Sequence, residues 1–572
     1  MSTARLSRDR KRQLGQFFTP QATAAAIVKS LNILPTHRIL EPSFGEGSFV
    51  FQIMDVIARS MPPTDIPSWC RDNLCGCEID SAAFATFTKH WNTAGFGPLP
   101  ANLEQCDFFR WMPPGLERGV ATNRHRYFSS RIETFDLIIG NPPFGGSIDP
   151  AIQDELDDLF GMRNSRKIKK ETYAFFIVKC VDLLKPGGKL VFICSDTILT
   201  ISTMTGLRSW LQEKCIVDVS GVPGFFEDTN QDMLLLSLTK RVNEPRSVSI
   251  FGKVLSLAEV ESTPNMSWRV NGEYAKYFTG VSVGDKMIAT SGMTVGNNEL
   301  FLRPIVQGEV EEPYIFRFDS QAITVKNALA RARLGKISAR QLKRLAEQEA
   351  EGADEQIVTW TRRDTPHRIT LPHTDYCFYN KASPRILYCE AQWVIFWRDN
   401  GDYVYRFKKT GNWYLHGVGG MKYFGREGLT WSLIAPRLYA RYLPSGYILD
   451  SGAPCAFLRK GVPHDELFFI MGWALTDLCT NILKYVLNHT RNIQSKDFER
   501  LPYPAWVEPC SKENAVEKVK GLIALAKAGR EFSFKSPEVQ NLNDLYAWRN
   551  DPVDERPRKS AALKQMALFE SR

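Results

Sequence analysis

The run FDLIIGNPPFGG, residues 135–146, constrains the fold more than any other stretch of the chain. Phe135 to Ile139 is mostly apolar, as expected of a strand buried on both faces. Two prolines come straight after Asn141, and neither can donate a hydrogen bond to a neighbouring strand, so the ladder must stop there. Asn141 is thereby placed at the carboxyl end of a strand, where open α/β sheets keep their ligand crevices. A rigid loop made of Asn141, Pro142, Pro143 and Phe144 at that position calls for a chemical reason.

The surrounding residues extend the pattern. From 14 to about 240, helical and strand-like stretches alternate. TPQATAAAIVKSL reads as a helix, with Thr19 as its N-cap and Pro20 in the first turn. RILEPSFGEGSF reads as a strand entering a glycine turn, and LCGCEID as a strand ending on an acid. ETYAFFIVKCVDLLKPGGKLVFICS reads as a helix, a Pro-Gly-Gly turn and another strand. This alternation predicts an α/β domain with a mainly parallel sheet covered by helices on both faces.

Beyond about 241 the texture changes to aromatic strands such as QWVIFWRDNGDYVYRF, glycine-aromatic loops and a charged helical insert starting at Asn327. A mixed α+β region is expected there. Residues 513–529 read as an amphipathic helix, and the last twenty or so as a polar tail. Three regions result, 1–240, 241–510 and 511–572.

Bulk properties fit this division. A chain of 572 residues is too long for one core. Its 44% hydrophobic and 24% charged content is that of an ordinary soluble protein. A net charge of +9 is compatible with a polyanionic partner without requiring one. The 12 cysteines lack Cys-x-x-Cys spacing, so buried thiols are expected and a structural metal is not. No leader and no stretch of apolar residues long enough to span a membrane is read, and an intracellular, cytoplasmic protein is expected.

Three signals at successive strand ends point to a nucleotide-like ligand. Gly45 and Gly47 follow the first strand and lead into a helix N-terminus, allowing close approach to the backbone. Glu78 ends the second strand, where an acid can accept both ribose hydroxyls. Asp107 follows the third, placed to accept from an adenine amino group. Each acid alone is commonly just a solvated loop residue; their order is harder to obtain by chance.

With Asn141-Pro142-Pro143-Phe144 after them and GQFFTP before them, these motifs resemble the class I S-adenosylmethionine-dependent methyltransferases. More narrowly, they resemble the gamma group of DNA adenine-N6 methyltransferases found in restriction-modification and phage-defence systems. The resemblance is close over 14 to about 240 and looser beyond. It implies a Rossmann-like catalytic domain followed by a target-recognition domain, with S-adenosyl-L-methionine as cofactor and double-stranded DNA as partner. A separately encoded endonuclease or defence subunit is a further partner of such systems.

The resemblance also implies residue roles. The Asn141 side chain and the Pro142 carbonyl accept the adenine N–H groups, Pro143 stiffens the loop and Phe144 stacks on the base. Phe226 supplies a second aromatic wall, against the simpler reading of a core phenylalanine. Thr19 and Pro20 lie over the methionine part of the cofactor, with Glu41 and Asn141 nearby. Phe44 departs from the small residues common at its position, and no role is carried over to it. In GREGLTWS and NHTRNIQSKDFERLPYP, segments like those of recognition regions, Arg426, Trp431, Arg491 and Asn492 are candidates for DNA contact, though each reads more readily as structural than as specificity-determining.

Other readings remain. The same loop type methylates glutamine amides and RNA bases, but in proteins that usually lack a long aromatic-basic extension. Cytosine-N4 enzymes usually carry Ser or Thr in place of Asn141. A DNA-binding subunit with a vestigial site is the alternative outside catalysis.

Overall fold

A computed structural model describes residues 19–111, 134–143, 150–163, 165–168, 171–223, 233–270, 272–295, 298–304, 376–397 and 423–548. The charged insert, most of the glycine-aromatic loop and the polar tail lie outside them. The chain forms two compact units. One comprises 1–278 with 482–490, the other 279–481 with 491–572.

The first unit is built on a nine-stranded sheet. Its strands are β1 (Ile39–Glu41), β2 (Leu74–Glu78), β3 (Leu103–Gln105), β4 (Phe135–Gly140), β5 (Leu184–Ser195), β6 (Cys215–Gly221), β7 (Met233–Lys240), β8 (Val248–Ile250) and β9 (Lys253–Val254). Their spatial order is β9-β8-β6-β7-β5-β4-β1-β2-β3. Strands β1 to β5 run parallel, and β7 lies antiparallel between β5 and β6. The strand order reverses at the β1–β4 pair, the switch point at which such sheets open a crevice.

Helices cover the sheet because its strands are apolar on both faces. Leu137, Ile139, Val191 and Ile193 share a core with helices Gln21–Lys29, Ser48–Ala58, Ile66–Asn73 and Ser81–Ala94. The alternate residues Ile138, Leu190 and Phe192 are just as buried. Helix Thr172–Leu183 is buried along nearly its whole length, as a helix apolar on most sides must be. The Pro-Gly-Gly turn expected before β5 is instead absorbed into that strand as a register shift. Phe135 pairs with Leu184 and Leu137 with Lys189, and Gly187 supplies the positive φ of 78°.

The first unit does not stop at 240. Val248–Ile250 pairs in parallel with β6, and parallel pairing needs the connecting chain to return to the same sheet. The segment Ile482–Thr490 also belongs here, although NHTRNIQ reads as part of a later region. Buried Asn265 explains its capture: its Nδ2 donates to Thr200 O (2.5 Å), Val486 O (3.1 Å) and Leu487 O (3.2 Å).

The second unit contains a five-stranded sheet and a four-stranded sheet. Tyr376, Phe378, Val394, Phe396, Ile448 and Phe457 are among the residues of its core. The amphipathic helix expected at 513–529 spans Pro509–Lys527, with Ala515, Val516, Val519, Leu522 and Ile523 on its buried face. It packs against helix Asp465–Ala474, so it is part of the second unit and not an appendage. Among the described residues no single helix is long and apolar enough to cross a membrane.

One buried cation organises the exit from β5. Fully buried Arg208 donates Nη1 to Ile198 O (2.6 Å), Nε to Met266 O (3.0 Å) and Nη2 to Ile201 O (3.0 Å), and also bonds Asn265 O. Arg208→Ala leaves several buried carbonyls without donors and opens a cavity. The expected loss is on the order of 3–5 kcal/mol, read from denaturant midpoints. A loss below about 1 kcal/mol would mean that water replaces the guanidinium without penalty.

Candidate functional site

At the carboxyl ends of β1, β2 and β4 the structure brings together most of the residues singled out in the sequence. The tip of β1 carries Glu41, that of β2 Glu78, and Asn141 follows β4 directly. The turn after β1 uses its glycines for conformation. Gly45 has φ 56° and Gly47 φ 91°, and Gly47 caps helix Ser48–Ala58. On the side where a Cβ of Gly47 would project, the Phe87 ring stands at 2.5 Å. Gly47 is therefore demanded by core packing as well as by backbone geometry.

Phe44 finds its explanation in the same packing. It is buried, with its ring 4.6 Å from that of Phe87 and 6.0 Å from that of Phe84. A Cβ on Gly76 would lie 2.8 Å from Phe44 Cδ1. The absence of a side chain on β2 makes room for the phenylalanine to turn into the core.

Glu78 ties the turn to the second strand. Its Oε2 accepts the Gly45 amide (2.7 Å) and its Oε1 the Asp80 amide (2.6 Å). Each carboxylate oxygen has a further lone pair for a ligand. Burial pushes the Glu78 carboxyl above its usual range, and the Asp80 and Gly45 amides oppose that shift.

Glu41 is more extreme. It is 2% exposed, and its Oε2 has no hydrogen-bond partner among the described residues. Burial drives its carboxyl well above the ordinary 4.5; a Val50 backbone hydrogen bond works against this and the Glu78 charge adds to it. A buried acceptor without a donor costs free energy, so a site holding one suits a ligand that brings a cation or N–H there.

Thr19 links the parts. Asn141 Nδ2 donates to Thr19 Oγ1 at 3.2 Å, while Ser48 Oγ donates to Thr19 O at 2.8 Å. Ser43 Oγ donates to the Asn141 carbonyl at 3.3 Å. Thr19 is thus not the N-cap expected from the sequence. Pro20 takes that place, its carbonyl accepting from Ala24 N (3.0 Å), because the Thr19 hydroxyl is engaged with Asn141.

Asp107 lies two residues beyond β3. Its Oδ1 accepts from Phe109 N at 2.9 Å, and Arg110 Nε stands 3.8 Å from Oδ2. A residue that the sequence reading missed holds this loop. Buried Lys179 donates its Nζ to the carbonyls of Phe108, Phe109 (3.3 Å) and Trp111 (3.0 Å), 4.4 Å from the centre of the Phe108 ring. Burial lowers its ammonium to about 8. The signal available in the sequence was a lysine inside the apolar helix TYAFFIVKCVDL.

Phe144 and Phe226 lie outside the described residues. Of the DNA-contact candidates, Arg426, Arg491 and Asn492 are exposed. Trp431 is buried; its Nε1 donates to Ile493 O (3.1 Å) and its ring stacks on Phe498 at 4.6 Å. It is a core residue.

A family model described as Eco57I restriction-modification methylase matches residues 102–222. The Type II methyltransferase M.XhoI of Xanthomonas vasicola is 23% identical over 280 residues, covering 46% of this chain and 47% of that enzyme. The adenine-specific methyltransferase PglX of Lacticaseibacillus casei is 26% identical over 166 residues, 28% of this chain and 13% of that protein. The chain spans about half the length of M.XhoI, and less of PglX. Among solved structures, a nuclease-deletion mutant of the Type ISP restriction-modification enzyme LlaGI, in complex with a DNA substrate mimic, shares the fold. Its TM-score is 0.53 at 14% identity, over 89% of this chain and 47% of that one.

Glu41 supplies a pH test of the site. Its folded value is raised, so its contribution to stability is present below the unfolded value of 4.5 and is lost as pH rises through the folded value. Glu41→Gln removes that loss. The urea midpoint of the variant should gain on the wild type as pH rises above 4.5. Parallel curves would show that the carboxyl is not perturbed. In its matched segment and in its relatives, this chain resembles the methyltransferases of restriction-modification systems.

Proposed function

We propose that the chain is a site-specific DNA methyltransferase that modifies N6 of an adenine flipped out of duplex DNA, as part of a restriction-modification or phage-defence system. The observation that carries this reading is the Thr19–Asn141 hydrogen bond, which ties the Asn-Pro-Pro loop to the glycine turn and its two buried acids. The family match over 102–222 supports it independently.

The residues fit S-adenosylmethionine. Glu41 Oε2 is a buried acceptor without a donor, suited to an amino group, and Glu78 keeps lone pairs for ribose hydroxyls. Asp107 suits an adenine amine, and Thr19 and Pro20 cover the methionine end. When bound, the cofactor supplies an electrophilic methyl group on its sulfonium.

The chain's task is then to make a poor nucleophile attack. Adenine's exocyclic nitrogen is weak because its lone pair is delocalised into the ring. The Asn141 Oδ1 and the Pro142 carbonyl each accept one of its N–H bonds and draw the nitrogen towards tetrahedral geometry, localising the lone pair. Pro142 and Pro143 hold these acceptors in advance, so little reorganisation is needed at reaction. Thr19 orients Asn141 by engaging its amide nitrogen. No strong base is needed, since the N–H turns acidic only after the methyl has moved. Phe144 and Phe226 would stack on the extruded base, offsetting part of the cost of unpairing it. The second unit would read the sequence, with Arg426, Arg491 and Asn492 as exposed candidates.

Incubation with tritiated S-adenosylmethionine and mixed genomic DNA tests this reading. Label is expected in DNA, at N6-methyladenine on nucleoside digestion. Asn141→Ala should lose at least about a hundredfold in turnover while retaining cofactor binding, because it removes an acceptor that acts in the transition state. Label only in protein or RNA, or full turnover by that variant, would refute the proposal.

A further inference from the structure

The second unit has a small open cleft lined by Lys381, Arg385, Tyr388, Glu390, Trp393 and Arg441 among others. It lies between elements of both sheets. Arg441 begins the strand Arg441–Leu443, which pairs with Leu387–Tyr388 in the five-stranded sheet. Trp393 begins the strand Trp393–Phe396, and Lys381 follows the strand Tyr376–Asn380, both in the four-stranded sheet.

Arg441 is an anomaly in this setting. It is 3% exposed, and its acceptors among the described residues are the Lys381 carbonyl, 3.0 Å from Nη2, and the Cys389 sulfur, 3.8 Å from Nη1. Neither is charged, since burial raises the Cys389 thiol and keeps it protonated. Its Nε has no hydrogen-bond partner among the described residues. A guanidinium stays protonated even when buried, so it should be paired. None of the ion pairs among the described residues includes Arg441.

The neighbouring charges do not fill the deficit. Glu390 faces the cleft but pairs with Arg385, which also reaches Glu531 (3.2 Å). Asp450, near Lys381, accepts from Tyr379 Oη at 2.8 Å. Lys381 lies over the Trp393 ring, its Nζ 4.5 Å from the ring centre, and forms no ion pair among the described residues. Among the described residues, a stacked lysine thus stands beside a buried arginine that has no anionic partner.

We propose that this cleft binds one backbone phosphate of duplex DNA, held by Arg441 from within and by Lys381 from the rim. The inference rests on the function proposed above for its choice of phosphodiester over a free anion. Arginine offers several fixed N–H donors to phosphate oxygens, and lysine adds a point charge. Such a contact positions the duplex without reading its sequence.

The test is a salt series of equilibrium binding to a labelled duplex of arbitrary sequence, for wild type, Lys381→Gln and Arg441→Gln. Losing one phosphate contact should lower the magnitude of the slope of log K against log salt by about 0.9. Lys381→Gln is half-exposed and keeps the test valid if Arg441→Gln fails to fold. The expected result is this drop in Lys381→Gln.

Inorganic phosphate, titrated without DNA, is the second arm. A melting temperature raised in wild type but not in Lys381→Gln, with an unchanged DNA slope, would assign the cleft to a free anion and overturn the proposal. An unchanged slope with no phosphate effect, or no binding of any duplex by the wild type, overturns it as well. A duplex bound but never methylated counts against the catalytic reading, and the cleft is then judged by the slope alone.

Discussion

The candidate site of the first unit depends on the parallel pairing of β1 with β4, Ile39 opposite Leu137 and Leu40 opposite Ile138. Parallel strands place their carboxyl ends on one edge. The pairing therefore sets Glu41 and Asn141 side by side, although a hundred residues separate them in the chain. β2 adds Glu78 on the other side of β1. A shift of one residue in any of these strands would turn the buried acids away and break the apolar faces, so core and crevice specify the same register.

The crevice is held from behind as much as from its lip. Gly47 and Gly76 make room for Phe87 and Phe44, which pack against each other under the turn. Lys179 reaches from its helix to three carbonyls around Asp107. On the far side of β4, Lys185 Nζ bonds both oxygens of Asp136, one of which also accepts from Arg38 N. Glu78 and Asp107 are thus anchored by backbone amides, and Lys179 braces the loop that carries Asp107.

Much of this was legible in the residues. Strand ends at Glu41, Glu78 and Asn141 followed from apolar runs stopped by turn residues, because those signals are local. The helix Pro509–Lys527 was likewise visible in its periodicity. Three features were not. Thr19 looked like a cap because capping preference is local, whereas its hydroxyl is claimed by an asparagine distant in sequence. Trp431 was a candidate for DNA contact as well as a structural residue, and only Phe498 and Ile493, arriving from elsewhere, decide for the core. Ile482–Thr490 returned to the first unit through Asn265, and no pattern in either segment announces the other.

The sequence alone determined the alternating layers, the points at which strands stop and the residue types offered at those stops, since each follows from hydrophobic period and from the backbone chemistry of proline and glycine. Tertiary structure alone decided which hydroxyl holds Asn141, which lysine braces the loop of Asp107 and that Arg441 is buried with no counter-charge among the described residues. Those outcomes depend on distances between segments remote in the chain, and burial, hydrogen bonding and charge pairing act through space and not along the sequence.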